Sequence, residues 1–222
     1  MNDALISLEK IELLDGGFGT ELEAAGCIID KDPLWSSAAI FNRPDLILQT
    51  HKKFIEAGSD IILTNTYHAS IFTMMNSRGM SKTAAESSVK KLVSIAKQAA
   101  EELSALQRIK IVGSVGPYGV TLHDGSEYNG HYVDELEEQI IVNHHIQQTI
   151  PLLQEGLNVL AYETVPSVKE ALAILRAVNA IQHSFKFWIS FSCKNDELTN
   201  HNELFHESIK KISHHPNIIG IG

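Results

Sequence analysis

The chain has 222 residues, a 44% hydrophobic fraction ordinary for a globular protein, and 18 basic against 27 acidic side chains for a net charge of −9. That balance, with Lys and Arg scattered rather than clustered, argues against a nucleic-acid-binding surface, and no apolar run approaches the ~20 residues that span a bilayer. Two cysteines, Cys27 and Cys193, lie far apart without CxxC spacing, so a disulfide framework is not expected and a reducing, cytoplasmic setting is.

In chain order, the opening residues MNDALISLEKIELLDGG lack a basic region followed by a long apolar core, so no secretory leader is expected. The first β-rich run is Ile11–Leu14. Pro44–Ala57 reads as a helix with apolar Leu46, Ile47, Phe54 and Ile55, stopped by Gly58 at C′. The second strand, Asp60–Thr64, is followed by a helix that Thr83 and Glu86 open as a capping box. The third strand is Ile109–Gly113. Asp134 with Glu137 repeats the capping signal for a helix running toward Gly156, which Pro151 should kink or bring to its last turns. A fourth strand, Asn158–Ala161, leads into a helix capped by Ser167 and Glu170. The fifth strand is Phe187–Phe191, a weaker helix spans Glu203–Ser213, and Asn217–Ile221 is the sixth strand.

Most of these strands are continuous apolar runs, as expected where both faces of a parallel sheet are covered. Their starts are spaced by 49, 49, 49, 29 and 30 residues. The later spacing is near a minimal βα unit. The first three units carry long connections after the strand, at 15–42, 65–80 and 114–132, rich in Gly, Asn, His and Tyr. Long connections on one side of a parallel barrel build its active site. The expected architecture is one α/β domain over residues 1–222, a (β/α)8 TIM barrel that is incomplete, with about six strands and five helices. A doubly wound open sheet is the competitor. It lacks support because Gly16, Gly17 and Gly19 do not fit G-x-G-x-x-G, and the second strand ends in Asn65 and Thr66 rather than in an acid.

Polar residues gather where strands end: Asp15-Gly16-Gly17, Asn65-Thr66-Tyr67, Gly116-Pro117-Tyr118-Gly119, Glu163-Thr164 and Ser190 with Ser192. In a barrel these positions converge on one mouth. Two carboxylates, Asp15 and Glu163, opposite glycine-turn amides suit a zwitterion, with acids for its ammonium and amides for its carboxylate. Asp15 before two glycines also fits an ordinary turn, and Asn65, Thr66 and Tyr67 also fit a loop satisfying its own backbone. Eleven histidines give no metal-ligand spacing; the adjacent pairs His144-His145 and His214-His215 should point apart. No metal site is expected from the residues present, and Cys193 reads as an inert small residue.

Six ordered motifs resemble the homocysteine S-methyltransferase family: LLDGGFGTELE (Leu13–Glu23), DPLWSS (Asp32–Ser37), EAGSDIILTNTYHAS (Glu56–Ser70), VGSVGPYG (Val112–Gly119), YETVPSVKEA (Tyr162–Ala171) and WISFSC (Trp188–Cys193). The DPLWS element resembles the branch using S-methylmethionine or S-adenosylmethionine, with betaine- and folate-dependent relatives less close. The resemblance implies a (β/α)8 barrel that methylates the sulfur of homocysteine to give methionine, with that sulfur held as thiolate by Zn2+. By motif, Asp15 and Glu163 match the acids that bind the amino group. Gly16 and Gly17 match the turn whose amides meet the carboxylate, and Thr66 and Tyr67 match the pocket wall. The family binds zinc through three cysteines after the sixth strand, which this sequence does not contain. The resemblance therefore implies a C-terminally truncated chain that shapes a pocket and is inactive or nearly so. A non-catalytic isoform binding an amino acid or a full-length partner is the alternative.

Overall fold

The computed structural model describes residues 11–222, and the expectation of no leader falls largely on residues outside that range. Five parallel strands, β1 (Ile61–Leu63), β2 (Lys110–Val115), β3 (Val159–Val165), β4 (Lys186–Phe191) and β5 (Ile218–Ile221), pair strictly in chain order. Helices fill the crossovers, giving the α/β architecture of a partial (β/α)8 barrel. The long helices are α3 (Pro44–Glu56), α5 (Lys82–Glu102), α7 (Glu138–Gln154), α8 (Val168–Ala180) and α9 (Phe205–Ile212). They correspond to the five expected. Four others, α1 (Phe18–Ala24), α2 (Ala39–Asn42), α4 (Ile71–Arg78) and α6 (Tyr132–Glu135), lie in or at the end of the long connections.

The expected first strand is the main correction. Leu13–Asp15 runs beside β1, with Leu13 O accepting from the Ile61 amide at 3.1 Å and Asp15 N donating to Ile61 O at 3.0 Å, but the pairing stops at the single bridge Leu14–Ile61. Ile11, Leu13 and Leu14 are largely exposed, and among the described residues no further pairing extends the ladder. Six expected strands are thus five and a bridge.

Two capping expectations also move. Ser81, not Thr83, caps α5, accepting from the Ala84 amide at 3.2 Å. Asp134 does not open α7: it sits in α6, the backbone turns extended at Leu136, and α7 begins after Glu137 without a side-chain cap. Ser167 caps α8 as expected, accepting from the Glu170 amide at 3.1 Å. Pro151 lies within the last turns of α7, and Gly58 has φ +103° just past α3.

Alternation along the strands separates two layers. Leu160, Tyr162, Phe187 and Ile189 pack outward into the main core with Leu92, Leu152 and Ile174 of the helices. Ile61, Val112 and Ala161 form a smaller inner cluster with Leu63, Val159 and Trp188. Gly113 belongs to the outer face: a Cβ there would lie 2.5 Å from Leu160 Cδ2 and 3.0 Å from Leu152 Cδ1, so only glycine lets α7 and β3 close over β2. The inner phase continues to Ser114 on β2 and Glu163 on β3. It thereby carries two polar side chains to the C-terminal mouth.

Candidate functional site

At that mouth a cavity of about 380 Å³ is lined by Asp15, Gly16, Tyr67 and Glu163 together with Ser114, Asn65, Trp35 and His68. Four of the six residues singled out from sequence therefore share one wall. Gly17 is adjacent but off the lining, at the entry to α1. Thr66 is buried behind the wall. A closed hydrogen-bond ring accounts for it: Ser114 N donates to Thr64 Oγ1 at 3.1 Å, Thr64 and Thr66 hydroxyls lie 2.6 Å apart, and Thr66 Oγ1 donates to Ser114 O at 2.6 Å. Since the Thr66 proton goes to Ser114, Thr64 donates to Thr66. The ring welds the ends of β1 and β2, so Thr66 acts on the cavity by fixing Ser114.

Among the described residues each carboxyl has one hydrogen-bond donor from elsewhere in the chain. Asp15 Oδ2 accepts from Leu63 N at 2.9 Å, and Glu163 Oε2 accepts from Ser114 Oγ at 2.6 Å. Burial raises the Asp15 pKa to about 7; the Leu63 amide opposes the rise and the charge of Glu163 adds to it. Burial also raises Glu163, against the Ser114 hydroxyl. Two carboxyls that lack enough donors around one cavity form a site prepared for a cation.

The strand around Glu163 is irregular. Tyr162 pairs with Ile189 but Val165 with Phe191, so β3 spends one residue more than β4, and Thr164 takes φ +58°. A β-branched residue in the left-handed region is strained, and such bulges occur where a side chain must be re-aimed. Trp35, also at positive φ (+44°), stacks on His68 at 5.7 Å over the rim. Burial pushes His68 down to about 4. Asn65 fixes the Trp35 segment by exchanging two bonds with Ser36, 2.8 Å to Oγ and 3.0 Å to the carbonyl.

Other expected members fall elsewhere. Ser190 lines a separate cavity of about 700 Å³ on the inner face with Ile61, Val112, Trp188 and Ile221. It is the larger of the two and mostly apolar, with no paired carboxyls. Ser192 accepts from Asn200 instead of facing the mouth. His144 and His145 do not diverge: their rings meet edge-on at 5.0 Å, both buried. Ser114 was missed from sequence, although its in-phase position two residues after Val112 could have found it.

Cys27 is buried beside α1, Cys193 is exposed beyond β4, and among the described residues no three His, Cys, Asp or Glu side chains are grouped to hold a metal. No helix among the described residues is long and apolar enough to cross a membrane.

The family described as homocysteine S-methyltransferase matches residues 12–222. Homocysteine S-methyltransferase 1 of Arabidopsis thaliana is 33% identical over 95% of this chain and 67% of its own length. Betaine-homocysteine S-methyltransferase of Drosophila melanogaster is 36% identical over 87% of this chain and 61% of its own, so identity does not set betaine-named relatives further away, contrary to expectation. The chain thus spans about two-thirds or less of the length of these curated relatives. The crystal structure of the metallated homocysteine methyltransferase MmuM from Escherichia coli superposes with a TM-score of 0.87 at 30% identity, over 97% of this chain and 75% of that one.

Proposed function

The chain belongs to the homocysteine S-methyltransferase family, and from that premise we propose that its mouth cavity captures L-homocysteine by the amino-acid zwitterion. Asp15 and Glu163 hold the ammonium, the amides of Gly16 and Gly17 meet the carboxylate, and Tyr67 forms the wall, with Thr66 keeping Ser114 and hence Glu163 in place. The observation that carries this reading is the pair of half-buried, under-bonded carboxyls facing one cavity. The reaction is methyl transfer from the sulfonium of S-methylmethionine or S-adenosylmethionine. The donor C–S bond breaks, the methyl joins the homocysteine sulfur, the thiol proton leaves, and methionine results. A free thiol of pKa about 8.5 stays mostly protonated at neutral pH, and the described residues group no metal ligands that would hold it as thiolate. The 222-residue chain therefore acts as an amino-acid binder with little or no turnover, in a cytoplasmic setting that suits its two free thiols.

Calorimetry with L-homocysteine and with 4-mercaptobutanoate, the same molecule without its amino group, tests the pocket. Homocysteine binding at least 30-fold tighter is expected; equal affinities would sink the zwitterion reading. Methionine formed at a sustained rate from homocysteine and S-methylmethionine would overturn the assignment as a binder.

A further inference from the structure

The one-residue surplus of β3 over β4 is confined to Glu163 and Thr164, because the strands pair on both sides of it, Tyr162 with Ile189 and Val165 with Phe191. Upstream the ladder is continuous from Val159 to Tyr162. Downstream it runs out at once: Pro166 and Ser167 turn the chain into α8. A β-branched residue at φ +58° relaxes toward extended backbone unless the segments on both sides of it are fixed. The downstream side therefore needs a hold that the sheet does not supply.

The connection between β4 and α9 (residues 192–204) supplies it. The Ser192 amide donates to Val165 O at 2.9 Å, and the His201 amide donates to Pro166 O at 3.0 Å. Glu203 completes the series, its Oε2 accepting from the Val168 amide at 2.8 Å. That amide is the first of α8 and has no acceptor within the helix. Ser167 serves the Glu170 amide instead, so the two caps do not compete, and the Glu203 carboxylate meets the positive end of the helix. Glu203 is itself held. Its Oε2 also accepts from Thr199 Oγ1 at 2.9 Å, its amide donates back to that hydroxyl at 3.2 Å, and Thr199 is fully buried. The connection after β2 closes on the same turn from another side. Gly130, at φ +71°, sits so near Pro166 that a Cβ there would lie 3.0 Å from Pro166 Cβ, and Asp134 of α6 bonds His201 Nε2 at 2.9 Å.

We propose that Glu203 is a positioning residue: by bracing the turn between β3 and α8 it keeps the Glu163–Thr164 bulge strained, and so keeps the Glu163 carboxyl aimed into the mouth cavity. The consequence for ligand binding rests on the reading of the cavity above; the brace itself does not.

Calorimetry on the full 222-residue chain, with L-homocysteine and 4-mercaptobutanoate as paired ligands, tests the proposal in Glu203→Ala, Glu203→Gln, Thr164→Gly and the double variant Glu203→Ala/Thr164→Gly. The readout is the ratio of the two affinities, which isolates the amino group; a general loss of packing weakens both ligands and leaves the ratio alone. Relief of strain of this kind shifts an equilibrium about tenfold, so Glu203→Ala should cut the ratio by about that factor. Glu203→Gln still offers an acceptor to Val168 and Thr199 and should stay within about twofold of the wild-type ratio. Glycine is unstrained at φ +58°, so in the Thr164→Gly background Glu203→Ala should change the ratio by less than about twofold. Thr199→Val removes only the hydroxyl that orients Glu203; it should give an intermediate loss, and it replaces Glu203→Ala if that chain does not fold. Backbone chemical shifts of Thr164 should leave the left-handed pattern in Glu203→Ala and keep it in Glu203→Gln. An unchanged ratio in folded Glu203→Ala, or an equal loss with Thr164→Gly in place, overturns the positioning role. If the wild-type chain does not prefer homocysteine, the cavity reading and the positioning role fail together, and the Thr164 shifts still decide the brace: unmoved shifts in Glu203→Ala overturn it.

Discussion

Two sets of carboxyls, one half-buried and one fully buried, sit at the same end of this sheet and are treated oppositely by their surroundings. Asp15 and Glu163 face a cavity with one donor each. Glu170, one turn into the helix that follows β3, is enclosed by an amide, a phenol and an imidazole. Burial is costly for all three, but only Glu170 has that cost offset within the fold. The unmet demand at Asp15 and Glu163 is what a ligand can satisfy, so the number of donors around each acid, together with its exposure to the cavity, separates binding groups from architectural ones.

The largest effect should come from breaking the satisfied acid. Glu170→Ala leaves the Tyr132 hydroxyl, the Tyr118 amide and His145 without their shared acceptor, and denaturant unfolding should show a loss of about 3–5 kcal/mol. A loss below about 1 kcal/mol would place Glu170 with the cavity acids instead. Asp15→Asn should do the reverse: it keeps an acceptor for the Leu63 amide but removes the charge for an ammonium, costing about 2–3 kcal/mol of homocysteine binding, or roughly 30- to 150-fold.

Acidity sharpens the contrast. The Asp15 pKa rises from 3.8 unfolded to about 7 folded, so the proton it retains stabilises the folded chain fully below about pH 4, and this stabilisation is lost as pH climbs through 7. Homocysteine binding needs the ionised form and runs the other way: affinity should rise about tenfold per pH unit from 5 toward 7 and then level off. Asp15→Asn should flatten that profile and stabilise the unliganded chain at pH 8 by about 2 kcal/mol, allowing for partial solvent access. An unchanged profile would remove Asp15 from the ammonium site. The smallest effect belongs to Ser114→Ala, which takes the only donor from Glu163; about 1 kcal/mol of binding should be lost, seen as a roughly fivefold weaker affinity.

The cavity acids were legible in the sequence because each is a charged residue at the end of an apolar strand, where the alternation that buries Val159 and Ala161 must carry Glu163 inward as well. Glu170 was legible only as half of a capping box. Ser167 does cap the helix, but the Glu170 side chain turns away from it to partners far along the chain, and no local spacing encodes that choice. Ile11–Leu14 failed as a full strand for a related reason: its apolar pattern is right, but strand length depends on a neighbour on each side, and the sheet order begins at β1. The break at Leu136 was hidden because Asp134, which reads as a cap, pairs instead with His201 at 2.9 Å.

The stacking of Trp35 on His68 gives the molecule an optical property. The chain has two tryptophans, one on the rim of each cavity: Trp35 at the polar mouth and Trp188 on the apolar inner face. Because burial keeps His68 neutral down to about pH 4, the imidazolium that would quench an adjacent indole is absent across the range where Asp15 titrates. Emission from a Trp188→Phe chain therefore reports on the mouth, with His68 neutral across the range in which Asp15, on the same cavity, titrates.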